Sequence, residues 1–286
     1  MKPAPFDYAK PATLEEAFGL LEDHGEDARV LAGGQSLLPA LYMRLSAPAI
    51  LVDISALDAL RGISIDNETL RIGALTSHTE LQASQDVVRA APLLVQAVAH
   101  IAHPAIRNRG TFGGSLAHAD PAAELPACMV ALDARLEIAG PAGPRKVAAA
   151  DFFHGLYETD LAPGEILTAA EIPLLQKGFR SGFAEFARRT GDFAMAALAA
   201  HGRFDGGRVR DLRLVYAGVD IRPVRALSAE QIIEGEAVAA ELVAKARARL
   251  GDDLKPTGDL HASAAMKLQL SGVLLERVLS EMAGAR

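Results

Sequence analysis

The sequence predicts an α+β protein of two domains, in which a first domain of interspersed helices and strands precedes a smaller one with an antiparallel sheet. Three observations support this class. The chain has 286 residues, 50% of them hydrophobic, which is enough for one or two buried cores. Apolar runs with helical spacing are interspersed with short strand-like runs as far as Pro173. Beyond Gly178, three strand-like runs follow one another without an intervening helix.

The first 55 residues or so predict a small α/β unit. Thr13-Leu14-Glu15-Glu16 fits a capping box, and Gly25 is placed to end the helix that the box begins. The apolar runs 29–31 and 50–54 predict buried strands, and the first leads into a glycine-rich segment.

Residues 56–176 predict a second unit of mixed structure. Predicted strands cover 70–75 and 134–139, and predicted helices cover 80–90, 92–102 and 122–132. The change of pattern after Leu174-Leu175-Gln176 places a domain boundary near residue 176.

Residues 177–286 predict a three-stranded antiparallel sheet with helices. The strands cover 183–189, 197–204 and 208–219, and Asp205-Gly206-Gly207 is a strong hairpin turn between the last two. Helices are predicted over 237–250 and 263–282, separated by Pro256-Thr257-Gly258.

Composition argues against several classes of protein. The chain has 29 basic and 36 acidic residues, a net charge of −7, and nucleic-acid-binding proteins usually carry a basic patch. The longest uncharged run, 91–106, contains two prolines and two histidines, which makes it a poor membrane span, and the N-terminus lacks an apolar signal core. We therefore expect a cytoplasmic protein. A single cysteine, Cys128, allows no internal disulfide and no iron–sulfur cluster with four thiolate ligands.

Two glycine-rich segments are the strongest candidates for a binding site: Ala32-Gly33-Gly34-Gln35-Ser36 and Thr111-Phe112-Gly113-Gly114-Ser115. A Gly-Gly pair allows positive φ and close approach to the main chain, so that several N–H groups can point at one anion. Each segment ends in a hydroxyl residue, and together they predict a clamp around a pyrophosphate. Neither is a Walker loop or a G-x-G-x-x-G fingerprint, which argues against a nicotinamide-binding Rossmann domain.

The pattern AGGQS…TFGGSLAHADPAAELP resembles the FAD-binding medium subunit of the molybdenum hydroxylases. This family includes xanthine dehydrogenase, carbon monoxide dehydrogenase and nicotine dehydrogenase. Further matching pieces follow in order along nearly the whole chain: PFDY at 5–8, LVDI at 51–54, IGALT at 72–76, HPAIRNRG at 103–110, GEIL at 164–167, RRTGDFA at 188–194 and LHASA at 260–264. The resemblance implies a PCMH-type FAD-binding domain of two α/β subdomains over 1–176, about 1–55 and 56–176. Residues 177–286 then resemble the flavoprotein C-terminal domain of carbon monoxide dehydrogenase.

The resemblance also implies which residues contact FAD. The family binds the cofactor with an acid at the position of Glu124 and polar groups around Asp120, while Ile101, Leu167 and Phe193 match positions that pack against it. The predicted cofactor-binding residues are Ala32, Gly33, Gly34, Gln35, Ser36, Leu37, Ile101, Thr111, Gly113, Gly114, Ser115, His118, Asp120, Glu124, Leu167 and Phe193. No catalytic residue and no metal ligand is predicted in this chain.

Structural alternatives stay open for several of these residues. Asp120 has the position of a helix N-cap, with Pro121 as the first helical residue. A role in core packing alone fits Ile101, Leu167 and Phe193 equally well. Phe193, however, follows a polar turn, where an aromatic side chain is unexpected.

The resemblance implies that the chain acts within an assembly. A large subunit with a molybdopterin cofactor oxidises the substrate, a small subunit with [2Fe–2S] clusters carries the electrons, and the FAD of this chain passes them to an external acceptor. We expect a dimer of such heterotrimers. Two alternatives are a stand-alone FAD oxidase of the same broad fold and a non-catalytic nucleotide-binding assembly subunit.

Overall fold

A three-stranded parallel sheet forms the N-terminal part of the computed structural model, which describes residues 2–284. The elements are β1 (Asp7–Ala9), α1 (Leu14–His24), β2 (Ala28–Leu31), α2 (Leu37–Tyr42) and β3 (Ile50–Asp53), with strand order β1-β3-β2. Thr13 caps α1 as predicted, since its hydroxyl accepts a hydrogen bond from the Glu16 N–H at 3.2 Å. The Glu16 carboxylate accepts from the N–H of Ala12 rather than from that of Thr13. The loop from β2 to α2 contains the first glycine segment.

A five-stranded antiparallel sheet and a layer of helices form the second unit. Its elements are β4 (Ile63–Asp66), β5 (Thr69–Gly73), α3 (His78–Ala83), α4 (Gln85–Ala90), α5 (Pro92–Val98), α6 (Pro104–Arg107), α7 (Phe112–His118), α8 (Glu124–Ala131), β6 (Arg135–Gly140), β7 (Gly143–Ala148), α9 (Ala149–Phe152), β8 (Phe153–Gly155), β9 (Glu158–Thr159) and β10 (Ile166–Pro173). The sheet order is β4-β5-β10-β6-β7, and β8 and β9 form a separate hairpin.

The helices of this unit are shorter than their apolar patterns predict. The single helix expected over 80–90 is two helices, because Ser84 ends α3 and its hydroxyl caps α4 by accepting from the N–H of Val87. The helix expected over 92–102 ends at Val98. Every residue of α8 is buried, which places this helix at the centre of the molecule.

The C-terminal part is a four-stranded antiparallel sheet packed on helices. Its elements are β11 (Phe179–Ala187), β12 (Ala194–Asp205), β13 (Arg208–Ala217), β14 (Val224–Arg225), α10 (Leu227–Ile233), α11 (Ala240–Ala248), α12 (Leu250–Asp253) and α13 (Ala264–Ala283), in strand order β11-β12-β13-β14. The three predicted strands are β11 to β13, and the two-residue β14 extends them. The α+β fold class is confirmed.

Both faces of this sheet are buried. Alternate residues of β12, such as Ala197 and Ala199, belong to the core that includes α5 and α8, whereas Leu198 and Ala200 belong to the core that includes α13. This period of two is the expected consequence of a pleated strand between two layers. Small side chains on β12 let α8 lie close against the sheet. The C-terminal sheet is thereby fixed against the helices that border the candidate site.

Within residues 2–284, the helices are all either too short or too polar to cross a lipid bilayer.

Candidate cofactor site

All sixteen residues of the predicted site border one cavity of about 550 Å³. The cavity lies where the β2–α2 loop, the helices α7 and α8, strand β10 and the segment 191–193 meet. A volume of this size lies within the range usual for small-molecule and cofactor sites. Residues as far apart in sequence as Gly33 and Phe193 therefore border the same cavity, which the sequence alone does not establish.

The first glycine segment offers a row of free backbone donors. Among residues 2–284, no acceptor lies within hydrogen-bond distance and angle of the five N–H groups from Gly33 to Leu37. Gly34 has a φ of 72°, a left-handed conformation that favours glycine, and its carbonyl accepts from the N–H of Leu38 at 3.1 Å. The Gln35 side chain donates to the carbonyl of Gly33 at 2.8 Å and so stiffens the turn. Consecutive unpaired N–H groups at a cavity wall suit an anionic ligand.

The second glycine segment is the first turn of α7 rather than a loop, and four of its five N–H groups are already paired. Thr111 is the N-cap, and its hydroxyl accepts from the N–H of Gly114 at 3.1 Å. The N–H groups of Phe112 and Gly113 donate to the carbonyls of Thr76 and Ala74, each at 2.8 Å. The expectation that both segments present free N–H groups is therefore wrong for this one. Thr111 and Ser115, which carry hydroxyls, nevertheless border the cavity.

Gly113 allows α7 to pack closely against the end of β5. A Cβ at this position would lie 2.4 Å from the Cβ of Ala74, which follows β5. The expectation of a positive φ in this pair is also wrong, because both Gly113 and Gly114 have negative φ. Close approach is needed between α7 and the end of β5, and that contact fixes Thr111 at the cavity wall.

His78 holds the backbone at the start of α7, and the sequence analysis did not single it out. Its ring Nε2 lies 3.1 Å from the carbonyl oxygen of Thr111, and its backbone N–H donates to the carbonyl of Gly110 at 3.0 Å. Burial lowers the pKa of His78 to about 4, so the ring is neutral at physiological pH and donates from Nε2. The available signal was the capping sequence Ser77-x-x-Glu80, which places His78 at the start of a helix.

The turn that precedes α8 brings polar groups to the cavity rim. Asp120 Oδ1 accepts from the N–H of Ala122 at 2.9 Å, and its Oδ2 accepts from the Tyr157 hydroxyl at 3.3 Å. The ring of His118 packs on that of Tyr157 with centroids 4.9 Å apart. The N-cap interpretation of Asp120 is wrong, because α8 begins at Glu124 and Ala123 is its cap.

Glu124 is a buried acid at the cavity wall. Glu124 is only 8% exposed. Burial, followed by the nearby carboxylates of Glu185 and Asp120, raises the pKa of Glu124 to about 8. A group with this pKa is mostly protonated at neutral pH and can donate a hydrogen bond or a proton. Glu185 was not singled out from the sequence.

The apolar members of the site differ in exposure. Ile101 and Leu167 are buried and belong to the main core, and both also border the cavity, so their contact with the cofactor stays a prediction. Phe193 is 72% exposed at the rim and is not a core residue. The segment that carries it is fixed by Gly191, where a Cβ would lie 3.0 Å from the carbonyl oxygen of Ala102.

The cavity is therefore bordered by a row of free N–H donors, by hydroxyl residues, by a buried acid and by apolar side chains. Among the described residues, the histidine, cysteine and acidic side chains form no group of three or more suited to a metal ion. The arrangement suits a long ligand with an anionic part near Gly33–Leu37 and a flat apolar part near Leu167 and Phe193.

Family profiles match both parts of the chain. Residues 4–175 match the profile of the FAD binding domain in molybdopterin dehydrogenase, and residues 181–282 match that of the CO dehydrogenase flavoprotein C-terminal domain. The nicotine 6-hydroxylase medium subunit of Paenarthrobacter nicotinovorans is 37% identical over 286 residues, with 100% of both chains covered.

Two solved structures cover 100% of this chain and 99% of their own. A carbon monoxide dehydrogenase from Hydrogenophaga pseudoflava that lacks the Mo-pyranopterin moiety of its cofactor superposes with a TM-score of 0.96 at 37% identity. Quinoline 2-oxidoreductase from Pseudomonas putida 86 superposes with a TM-score of 0.94 at 40% identity.

Proposed function

The chain belongs to the FAD-binding medium subunits of the molybdenum hydroxylases, and we propose that it carries electrons between two partners through an FAD held in the cavity described above. Electrons arrive from [2Fe–2S] clusters of a small subunit and leave to an external acceptor. A large molybdopterin subunit oxidises the substrate. The bound flavin supplies reversible two-electron redox chemistry, and this chain supplies binding, orientation and electrostatics.

The row of free N–H groups from Gly33 to Leu37 is the observation that carries this proposal. These groups suit the pyrophosphate of FAD, and the Thr111 and Ser115 hydroxyls suit its polar linking atoms. Leu167 and Phe193 offer the apolar surface that an isoalloxazine ring needs. The residues present therefore fit the cofactor at both of its chemically different ends.

The composition of the chain supports the division of work among subunits. Its single cysteine is fully buried, and burial raises the pKa of the Cys128 thiol well above its usual range. Cysteine ligands for iron–sulfur clusters must then come from a partner. We further propose that the assembly is a dimer of heterotrimers and that its domains are 1–176, with subdomains of about 1–55 and 56–176, and 177–286. A cytoplasmic location stays a prediction.

The purified chain tests the proposal directly. It should hold FAD, be reduced by dithionite and be reoxidised by an artificial acceptor, yet show no flavin bleaching with reducing organic substrates in the absence of partner subunits. Substrate-dependent bleaching by the chain alone would support a stand-alone oxidase. A folded chain that binds no FAD would support a non-catalytic assembly subunit, and either outcome would overturn the proposed electron transfer.

A further inference from the structure

We propose that Tyr157 is a positioning residue for the cofactor, which holds Asp120 and His118 in place at the cavity wall from outside the cavity. Asp120 and His118 border the cofactor cavity, whereas Tyr157 does not. The proposal rests on the proposed function, because it gives Tyr157 an effect on an FAD that is bound there. It deepens that function by adding a residue that acts on FAD only through two others.

Tyr157 makes two contacts with the segment at the end of α7. Its hydroxyl donates a hydrogen bond to Asp120 Oδ2 at 3.3 Å. Its ring packs on the ring of His118, with centroids 4.9 Å apart and the two planes tilted by 36°. The other oxygen of Asp120, Oδ1, accepts from the N–H of Ala122 at 2.9 Å. Each oxygen of this carboxylate therefore has its own donor, and Tyr157 supplies the one that comes from another part of the chain.

The hairpin of β8 and β9 presents Tyr157 at its tip, because Leu156 and Tyr157 form the turn between the two strands. The base of the hairpin is fixed in the main core. Phe153, the first residue of β8, is buried, and its ring packs edge to face on that of Phe152 with centroids 5.1 Å apart. Beyond β9 the chain soon reaches Leu161, which borders the cofactor cavity. The hairpin is thus a short arm with a rigid base beside the cavity.

The backbone of Tyr157 has a conformation that is unusual for an aromatic residue. Its φ is 56°, in the left-handed region that bulky side chains rarely adopt and that glycine or asparagine adopts at lower cost. Tyr157 is also 54% exposed, so burial in the core does not explain why a large residue stands there. A glycine or asparagine in this turn would lose the contacts with Asp120 and His118. Those two contacts account for a tyrosine at this position.

A fixed Asp120 suits the hydroxyl groups of the chain that links the two ends of FAD. A carboxylate has about four acceptor positions on its two oxygens, and the protein fills two of them, so Asp120 can still accept from a ligand hydroxyl. A side chain that is already held in one orientation loses less entropy on binding than a free one. Tyr157 therefore contributes by preorganisation. Its loss should weaken FAD binding without removing any atom of the residues that border the cavity.

The test measures the affinity of the full chain for FAD, by stripping the cofactor and titrating FAD back while its fluorescence is recorded. Tyr157→Phe keeps the ring and removes the hydroxyl, so we expect the Kd to rise about threefold to tenfold, the effect of one hydrogen bond. Tyr157→Asn removes the ring as well but suits a positive φ, so we expect a larger rise, of about tenfold or more. Leu156→Ala changes the exposed neighbour in the same turn and is the matched control, which should bind FAD like the parent chain.

A double-mutant cycle shows whether Tyr157 acts through Asp120. In an Asp120→Ala background the Tyr157 hydroxyl has lost its acceptor, so adding Tyr157→Phe should leave the Kd for FAD unchanged. The melting temperature of the FAD-free chain separates this role from a general structural one. Because Tyr157 is half exposed, that temperature should stay within about 2 °C of the parent value in Tyr157→Phe.

Three results would overturn the positioning role and leave the proposed function intact. The first is a parent-like Kd for FAD in both Tyr157→Phe and Tyr157→Asn. The second is a loss of affinity in Tyr157→Phe that is equally large in the Asp120→Ala background. The third is a larger fall in the melting temperature of FAD-free Tyr157→Phe, which would make its weaker binding a consequence of general destabilisation. A parent chain that is folded and binds no FAD overturns the proposed function instead.

Discussion

Gly33 lies directly against the backbone of Arg109, two residues before the second glycine segment. A Cβ on Gly33 would lie 2.2 Å from the carbonyl oxygen of Arg109 and 2.9 Å from the Cα of Gly110. No side chain fits at that distance, so the turn with the free N–H groups lies directly on the backbone that leads into α7. This contact fixes the first segment relative to Thr111 and Ser115, which border the same cavity.

Gly33→Ala adds only one methyl group, but it should reduce both stability and FAD binding. We expect a loss of about 1–3 kcal/mol in the free energy of unfolding, as for other overpacked positions, and a clear loss of bound FAD. Urea unfolding and the flavin content of the purified chain measure the two effects. Gly19→Ala is the matched control, because Gly19 is exposed on α1 with open space around it. That change should raise stability by up to about 1 kcal/mol and leave FAD unchanged. If both variants had the same stability and FAD content, the close contact at Gly33 would not be needed for the site.

Phe193→Ala should separate cofactor contact from core packing. Because Phe193 is 72% exposed, its loss should change the free energy of unfolding by less than about 0.5 kcal/mol. Loss of a stacking contact should weaken FAD binding by about 0.5–1.5 kcal/mol and alter the fine structure of the flavin absorbance. Leu260→Ala, at a position 98% exposed and outside the cavity, is the control and should change neither. A large drop in melting temperature with an unaltered flavin spectrum would contradict the assignment.

The sequence predicts the elements of this fold well where one local signal decides them. Thr13 and Gly25 set the ends of α1, and Asp205-Gly206-Gly207 sets the turn between β12 and β13. The division of the helix over 80–90 was missed because Ser84 ends one apolar run and caps the next without interrupting the pattern. The strand β14 was missed because two residues carry no periodicity.

The site was predicted through a family pattern, and the physical reasons for its glycines were only partly predicted. Gly34 does need its positive φ, as expected. Position 113 requires glycine because Ala74 packs directly on it. A contact between residues so far apart in sequence leaves no local signal. Glu185 was missed for a related reason: it is one acid on a strand, and only the fold shows that the face it lies on is buried.

Stability should fall in mild acid because of two buried histidines. Burial lowers the pKa of both His78 and His201 to about 4, whereas an unfolded chain binds a proton on histidine near pH 6.5. The unfolded state therefore binds more protons between these values, and the histidine contribution is complete above about pH 6.5 and lost progressively as the pH falls towards 4. The raised pKa of Glu124 acts in the opposite direction over about pH 8 to 4.5, so the comparison must be between variants.

His201→Gln should remove part of this acid sensitivity. As the pH falls from about 7 to about 5, the unfolding free energy of the parent chain should decrease by more than that of His201→Gln. His24→Gln, at the exposed end of α1, provides the control. Parallel pH curves for the parent and His201→Gln would show that His201 does not resist protonation.

Lys267 should contribute more to stability than a charged residue on a helix usually does. It is only 7% exposed, its Nζ donates to the carbonyl of Gly218 at 2.8 Å, and the N–H of Gly218 donates to the carbonyl of Pro121 at 2.7 Å. This sequence of bonds ties α13 to the turn that holds Asp120. Lys267→Met leaves the Gly218 carbonyl without its donor, which should cost about 1–3 kcal/mol in unfolding free energy and weaken FAD binding through the loosened turn.

The ion-pair partner of Lys267 supplies the control. Asp259 Oδ2 lies 2.7 Å from Lys267 Nζ, and hydrogen bonds from Lys267 and from the N–H groups of His261 and Ala262 lower the pKa of Asp259 to about 2. This pair stabilises the fold above about pH 4, and its contribution is lost as the pH falls through 2. Because the Asp259 side chain is 43% exposed, water screens the pair, and Asp259→Asn should cost much less than Lys267→Met. Urea unfolding at neutral pH ranks the two variants. Equal losses would mean that the ion pair, rather than the buried bond to Gly218, is what Lys267 contributes.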